Sequence, residues 1–182
     1  MSYHLSISTL VEKFSSLDQS EPDNGSLDLI AIRPSENERK IVTEAELTME
    51  DGVVGDDWKN RSSDGNPDPK TQITLMNSKF VEMIAGSKDN WAQAGDQLYV
   101  DLDISEQNLP VGQKIAFGPT QDVILEITDV PHRGCSKFAS RFGPAALRFI
   151  NAFERRSLRL RGVYARVIKS GTIHVNDSIT KL

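Results

Sequence analysis

The stretch PHRGCSKFASRFG, residues 131–143, holds the only cysteine of the chain, Cys135, among His132, Arg133, Lys137 and Arg141, with no acidic residue. Nearby cations favour a thiolate over a thiol, and so does a helix N-terminus. Such sites lower a cysteine pKa from about 8.5 to roughly 3.5–7.5. A thiolate there can serve as nucleophile, metal ligand or sulfur carrier. The alternative is a buried cysteine acting as a small hydrophobe, which is costly if several charges are buried with it. Gly134 allows the backbone to approach a ligand closely. His132, whose unperturbed pKa lies near neutrality, is a candidate general acid or base, or else a hydrogen-bonding loop residue. Cys135 and Arg141 also have the Cys-x5-Arg spacing of phosphatase loops, which cradle a phosphate dianion. The match is incomplete: Gly134 replaces the histidine usual before the cysteine, the loop interior lacks glycine, and Phe142 replaces the hydroxyl residue after the arginine.

The charge distribution separates this region from the rest. Residues 1–130 contain 10 Lys/Arg and 24 Asp/Glu, whereas residues 131–172 contain 10 Lys/Arg and Glu154 as the one acid. A basic segment in a chain of net charge −5 points to a local anion site or to salt bridges with the acidic part. It argues against nucleic acid as a partner, because the remaining surface repels a polyanion. One cysteine excludes an intrachain disulfide framework and a cysteine-rich zinc site and suits a reducing compartment. The start of the chain lacks a basic, then apolar, leader, and no apolar run is long enough to span a membrane. The expectation is a cytoplasmic protein with no membrane partner.

The elements that must position these residues are mostly strands. A length of 182 residues suits one domain with a sizeable core. Thr9 and Glu12 have the spacing of a capping box for a first helix that places Leu10, Phe14 and Leu17 on one face, and a polar loop follows at 19–26. Strands are expected at 27–34, 39–48 (pairing with the first) and 71–76. Asn77 and Gly86 bracket a helix. Residues 97–105 alternate, with Leu98, Val100, Leu102 and Ile104 on one face and Tyr99, Asp101 and Asp103 on the other. Residues 114–118 and 122–130 read as a hairpin around Gly118-Pro119. A helix at 143–153 has Pro144 in its first turn. Residues 162–169 and 172–177 read as a second hairpin turning at Ser170-Gly171. Many short strands and few helices imply a mainly β architecture, a barrel or strongly curved sheet with helices covering its ends.

PHRGCSKFASRFGPAALRFIN, followed by LRLRGVYARVIKSGTIHVNDSI, resembles the MOSC family, domains found at the C-terminus of molybdenum cofactor sulfurases and in stand-alone proteins. DGVVGDDW (51–58), TQITLMN (71–77) and DLDISEQNLPVGQKIAFG (101–118) resemble further family segments in the same order. The resemblance implies a MOSC-type β-barrel over residues 26–182, preceded by an N-terminal helix and loop at 1–25. It implies that Cys135 carries sulfur as a persulfide or ligates molybdenum. Arg133, Lys137 and Arg141 would stabilise the thiolate and bind the phosphate of molybdenum cofactor. Arg161 and Arg166 would add to that anion site, unless Arg166 faces solvent on its strand. Asp56 and Trp58 would line the pocket, unless Asp56 caps a turn and Trp58 is core; Asn108 would order a turn or join the pocket.

Three functions are consistent with the resemblance. The first is a sulfur carrier of molybdenum cofactor or metal–sulfur cluster chemistry. Its partners would be a cysteine desulfurase or other sulfur donor, and an acceptor enzyme. The second is a molybdenum cofactor-dependent reductase of N-hydroxylated compounds, an activity of some members such as the mitochondrial amidoxime-reducing component. The third is a non-catalytic pterin- or anion-binding module. No pyridoxal phosphate is expected in this chain, which has no room for a desulfurase domain. The N-terminal β domain of larger cofactor-binding members and the His-Gly-Gly segment of some reductases have no counterpart here; RSSDGNPDPK (61–70) stands in that area. Both departures weigh against a self-sufficient reductase.

Overall fold

The computed structural model describes residues 4–62 and 64–182; residues 1–3 of the expected N-terminal segment, and Ser63, lie outside them. The first helix, α1 (Ile7–Ser15), is capped by Ser6, whose Oγ accepts a hydrogen bond from the Thr9 amide. The expected Thr9–Glu12 capping box therefore does not form: the cap is Ser6, three residues before Thr9, and it satisfies the free Thr9 N–H. Eleven strands follow among the described residues: β1 (Gly25–Ile32), β2 (Lys40–Val42), β3 (Glu44–Thr48), β4 (Gly52–Val53), β5 (Ile73–Asn77), β6 (Leu98–Asp101), β7 (Lys114–Phe117), β8 (Val123–Ile127), β9 (Val163–Lys169), β10 (Gly171–His174) and β11 (Ser178–Lys181). Three more α-helices, α2 (Ser78–Ala85), α3 (Ser136–Phe142) and α4 (Pro144–Asn151), lie between them.

The strands β11-β7-β8-β9-β5-β6-β1 form a closed seven-stranded barrel, because β1 also pairs with β11 through Gly25 and Ser26. Closure removes the exposed edges that a sheet of this length would otherwise present. The pairing is antiparallel except between β5 and β6. The β7–β8 hairpin forms as expected, with Ile115 opposite Leu125. The 39–48 stretch is two strands. β2 extends the barrel sheet beside β1, and β3 joins a separate small sheet with β10 and β4.

The second expected hairpin does not exist. β9 pairs with β5 and β8, whereas β10 pairs with β3, so the chain changes sheets at Ser170. Tight-turn residues mark a reversal but do not specify the partner strand. The Ser170 hydroxyl accepts from the Met49 amide and ties this crossing to the end of β3.

Two apolar cores result. Leu27, Leu75, Leu98, Val100, Phe117, Leu125 and Ala165 fill the barrel. The other face of β1, β5 and β6 carries Leu29, Met76 and Tyr99, which α1, α2, α3 and α4 cover with Leu10, Phe80, Phe138 and Phe149. The alternation at 97–105 is thus real, but its second face is covered by helices: Tyr99 is fully buried and donates to the Trp91 carbonyl at 2.8 Å. Phe14 packs edge-on against both Phe80 and Phe149, joining three helices. Each such side chain contributes roughly 1.5–3 kcal/mol of burial. This helical layer is the platform on which α3 presents Cys135.

Candidate functional site

Cys135 is exposed and occupies the N-cap position of α3 in an extended conformation, with φ −123° and ψ −178°. The preceding residue is clamped by Asn151 of α4: its Oδ1 accepts from the Gly134 amide at 3.0 Å and its Nδ2 donates to the Gly134 carbonyl at 3.1 Å. Gly134 lies tight against the Ile150 and Leu147 side chains, where a Cβ would fall 2.6 and 2.7 Å from their terminal methyl groups. The thiol position is therefore set by α4. Partial burial pushes the thiol pKa up, but the amides of Phe138 and Lys137, with Arg161 and Arg141 adding charge, outweigh it and leave the pKa lowered. The side chain closes no capping hydrogen bond; the amides act as oriented dipoles at the start of the helix.

The Cys-x5-Arg spacing does not form a phosphatase-type loop. Residues 136–142 are helical, so Arg141 lies in the last turn of α3 rather than closing a loop round the sulfur. Its Nη1 donates instead to the Gln93 carbonyl at 2.8 Å. Gly95 gathers the cations here. A Cβ on it would lie 3.4 Å from Arg141 Nη1 and 3.6 Å from Arg39 Nη2, and Arg33 Nη1 donates to its carbonyl at 3.1 Å. Arg39 Nε is buried without a partner, and desolvation together with Arg141, Arg61 and Arg33 lowers its pKa. Neither Arg39 nor Arg141 has a carboxylate partner among the described residues. Guanidinium groups held this close without a counter-ion are complementary to an oxyanion.

Beneath α3, Arg161 donates to the fully buried Asp96 and to the Ala94 carbonyl. Its guanidinium carbon lies 5.4 Å from the Phe138 ring centre. His132 stacks on Tyr164 at 4.3 Å, and its Nδ1 faces Asp96 Oδ1 at 3.6 Å. That separation is too long for a hydrogen bond, and both atoms lack a partner. Burial, then Arg161 and Arg33, pushes the His132 pKa well below its usual value, so the imidazole is neutral and the contact is not an ion pair. The near-neutral pKa that suggested acid–base work does not hold in this environment. Burial also raises the Asp96 pKa, against the pull of Arg161.

The other expected residues separate into different places. Lys137 pairs with Glu36 at the surface. Arg133 is exposed and has no carboxylate partner among the described residues. Arg166 lies on the outer face of β9 and forms an ion pair with Glu126 at 2.7 Å, which is the solvent-facing alternative. Asp56 is not a pocket residue: its side chain is fully buried, and its oxygens accept from the Arg33 guanidinium at 2.8 Å and from the Trp58 amide at 3.1 Å. Trp58 is core. Asn108 ties loops together through the Pro22 carbonyl and Lys181. Arg33, Arg39, Asp96 and Tyr164 belong to the cluster but escape the sequence reading. The one local clue is the Gly95-Asp96 pair, a flexible backbone followed by an acid at the entrance to an apolar strand.

A cavity of about 450 Å³ adjoins this cluster, between the 129–133 segment and residues 156–163. His132 and Arg161 are in its wall, whereas Cys135 is not. Among the described residues no group of three or more His, Cys, Asp and Glu side chains is arranged to hold a metal ion, and no helix is long and apolar enough to cross a membrane.

A model of the MOSC domain matches residues 68–180, a span that contains the cysteine loop, Asp96, Arg141 and Arg161. No curated protein matches the sequence. Among solved structures, the YuaD protein of Bacillus subtilis superposes with a TM-score of 0.59 at 16% identity, over 87% of this chain and 95% of that one. YiiM of Geobacillus stearothermophilus gives 0.61 at 15% identity, over 87% and 75% of the two chains. YiiM of Escherichia coli gives 0.56 at 16%, over 86% and 69%. Likeness at such identities establishes the fold.

Proposed function

The chain belongs to the MOSC family, and on that premise we propose that it is a cytoplasmic sulfur carrier in molybdenum cofactor or metal–sulfur cluster chemistry, with Cys135 as the carrying residue. The observation that carries this reading is the exposed thiol at the start of α3, whose pKa is lowered by the Phe138 and Lys137 amides and by Arg161 and Arg141 against partial burial. The Cys135 thiolate attacks the outer sulfur of a donor persulfide. A new S–S bond forms on Cys135, the donor S–S bond breaks, and the donor cysteine leaves as a thiolate. The same helix amides and arginines then stabilise the anionic persulfide. A cysteine desulfurase supplies the sulfur, and an acceptor enzyme takes it from the exposed position.

The Arg39–Arg141 pair over Gly95 supports a second reading, in which molybdenum cofactor binds here. The donor set fits: Cys135 offers one soft ligand, and the cofactor's dithiolene brings others. Arg39, with its unpartnered Nε, and Arg141 would hold the phosphate. When bound, the cofactor supplies two-electron reduction of N-hydroxylated substrates. The residues of this chain would fix its phosphate and keep the sulfur deprotonated.

Protein purified without reductant and incubated with a cysteine desulfurase and cysteine tests these readings by intact mass. Gain of one sulfur, removed by dithiothreitol and absent from Cys135→Ser, is the expected outcome. Molybdenum and pterin co-purifying without sulfur loading would replace the carrier reading with the cofactor one. Neither would overturn both and leave an anion-binding module.

A further inference from the structure

We propose that the cavity beside the Cys135 loop binds a small molecule with an apolar body and an oxyanion group, at a site separate from the anion site over Gly95. A volume of about 450 Å³ lies within the range of small-molecule sites, roughly 300–1,000 Å³. Its apolar wall is Val111, Val130, Ile150 and Leu160, and its charged wall includes Arg133, Arg156 and Arg159.

The charge balance selects the ligand. Arg161 is neutralised by Asp96, and Asp129 by Lys70. Arg133, Arg156 and Arg159 form no salt bridge among the described residues. Glu106 is the one lining acid left, within electrostatic reach of Arg159. The cavity therefore keeps an excess of guanidinium groups against an apolar surface, a combination that favours an anion attached to an apolar body.

Two further features point the same way. Arg159 has left-handed backbone angles, φ 51° and ψ 43°, unusual for a residue with a side chain; its Nη1 is anchored by the Leu109 carbonyl. Arg156 lies 5.0 Å from the ring of Phe153, which is 79% exposed. The ring stands outside the cavity lining and packs on the Arg156 guanidinium, which is in that lining. On the inner wall the His132 side chain is 93% removed from solvent, by its 7% exposure. With Nδ1 turned toward Asp96, Nε2 is the nitrogen free for an occupant. The occupant thus reaches the residue next to the thiol loop without touching the sulfur.

Calorimetry with 1-naphthyl phosphate, and with inorganic phosphate for comparison, tests this. One equivalent of the naphthyl ester is expected to bind, more tightly than phosphate alone. Arg133→Ala and Arg156→Ala, both at exposed positions, should each weaken it about tenfold, the loss of one charge-assisted hydrogen bond. Val111→Trp, at a rim position 58% exposed, should abolish it by filling the mouth. Cys135→Ser and Arg141→Ala should leave it unchanged, which separates this site from sulfur loading. No binding, equal binding of phosphate, or binding lost in Arg141→Ala but kept in Arg133→Ala and Arg156→Ala would overturn the proposal.

Discussion

At the scale of single residues, partnership decides function. Cys135 is exposed, Arg39 and Arg141 have no carboxylate partner among the described residues, and these three carry the proposed chemistry. Asp56 is the opposite case. Its motif resembles a pocket segment, yet Arg33 and Asp56 seal each other off, with side-chain exposures of 5% and 0%. Removing one member of a buried pair leaves an uncompensated charge, at a cost of about 3–5 kcal/mol. Asp56→Ala should destabilise by that amount in urea unfolding monitored by tryptophan fluorescence. A loss below about 1 kcal/mol would show that Asp56 is not structural. The ambiguity was visible in the sequence, since an acid after glycine suits a turn or a site. What decided it was Arg33, 23 residues away and brought opposite by the end of β1.

At the scale of elements, the approach of β5 and β9 fixes the wall of the cavity. Gly162 enters β9 at φ +113°, and a Cβ there would lie 2.3 Å from the Leu75 carbonyl oxygen and 3.2 Å from His132 Nδ1. Gly162→Ala should therefore cost more than ~1 kcal/mol and displace His132. The checks are chemical unfolding and the position of the His132 ring protons in NMR spectra. Unchanged stability and unchanged shifts would contradict this packing. Most elements were legible because their signals are local: Asn77 caps α2, Gly86 ends it, and the β7–β8 hairpin turns at Gly118. The β3–β10 pairing was not, because Ser170-Gly171 encodes a change of direction while the partner of β10, β3, is more than 120 residues away in sequence. α3 was missed as a separate helix because it is a short helix, broken from α4 by Gly143 at φ +91°. The start of α3 at Ser136, not that of α4, is what puts Cys135 at a helix N-terminus.

At the scale of the whole molecule, the basic segment does not fold into one pocket. It divides between the proposed anion site, through Arg141, and the arginine-lined cavity, and Lys137, Arg161 and Arg166 pair with Glu36, Asp96 and Glu126. The barrel, its family and its cysteine loop could be read from the chain. The assembly of Arg33 and Arg39 from the β1–β2 region with Arg141 from α3 over Gly95 could not, because only the closed barrel brings those segments together. This folded arrangement lowers the Cys135 pKa and so favours its thiolate. The most direct test is the pH dependence of its alkylation by iodoacetamide, in the native protein and in urea. Because the folded environment lowers the pKa, the native midpoint should lie below that of the unfolded chain, so at a pH between the two midpoints the larger share of native thiol reacts. Arg141→Gln should return the midpoint part of the way, leaving the share of the α3 amides, and added salt should do the same by screening. A native midpoint equal to or above the unfolded one would contradict a thiolate favoured by the fold, and with it the role of Cys135 as sulfur carrier.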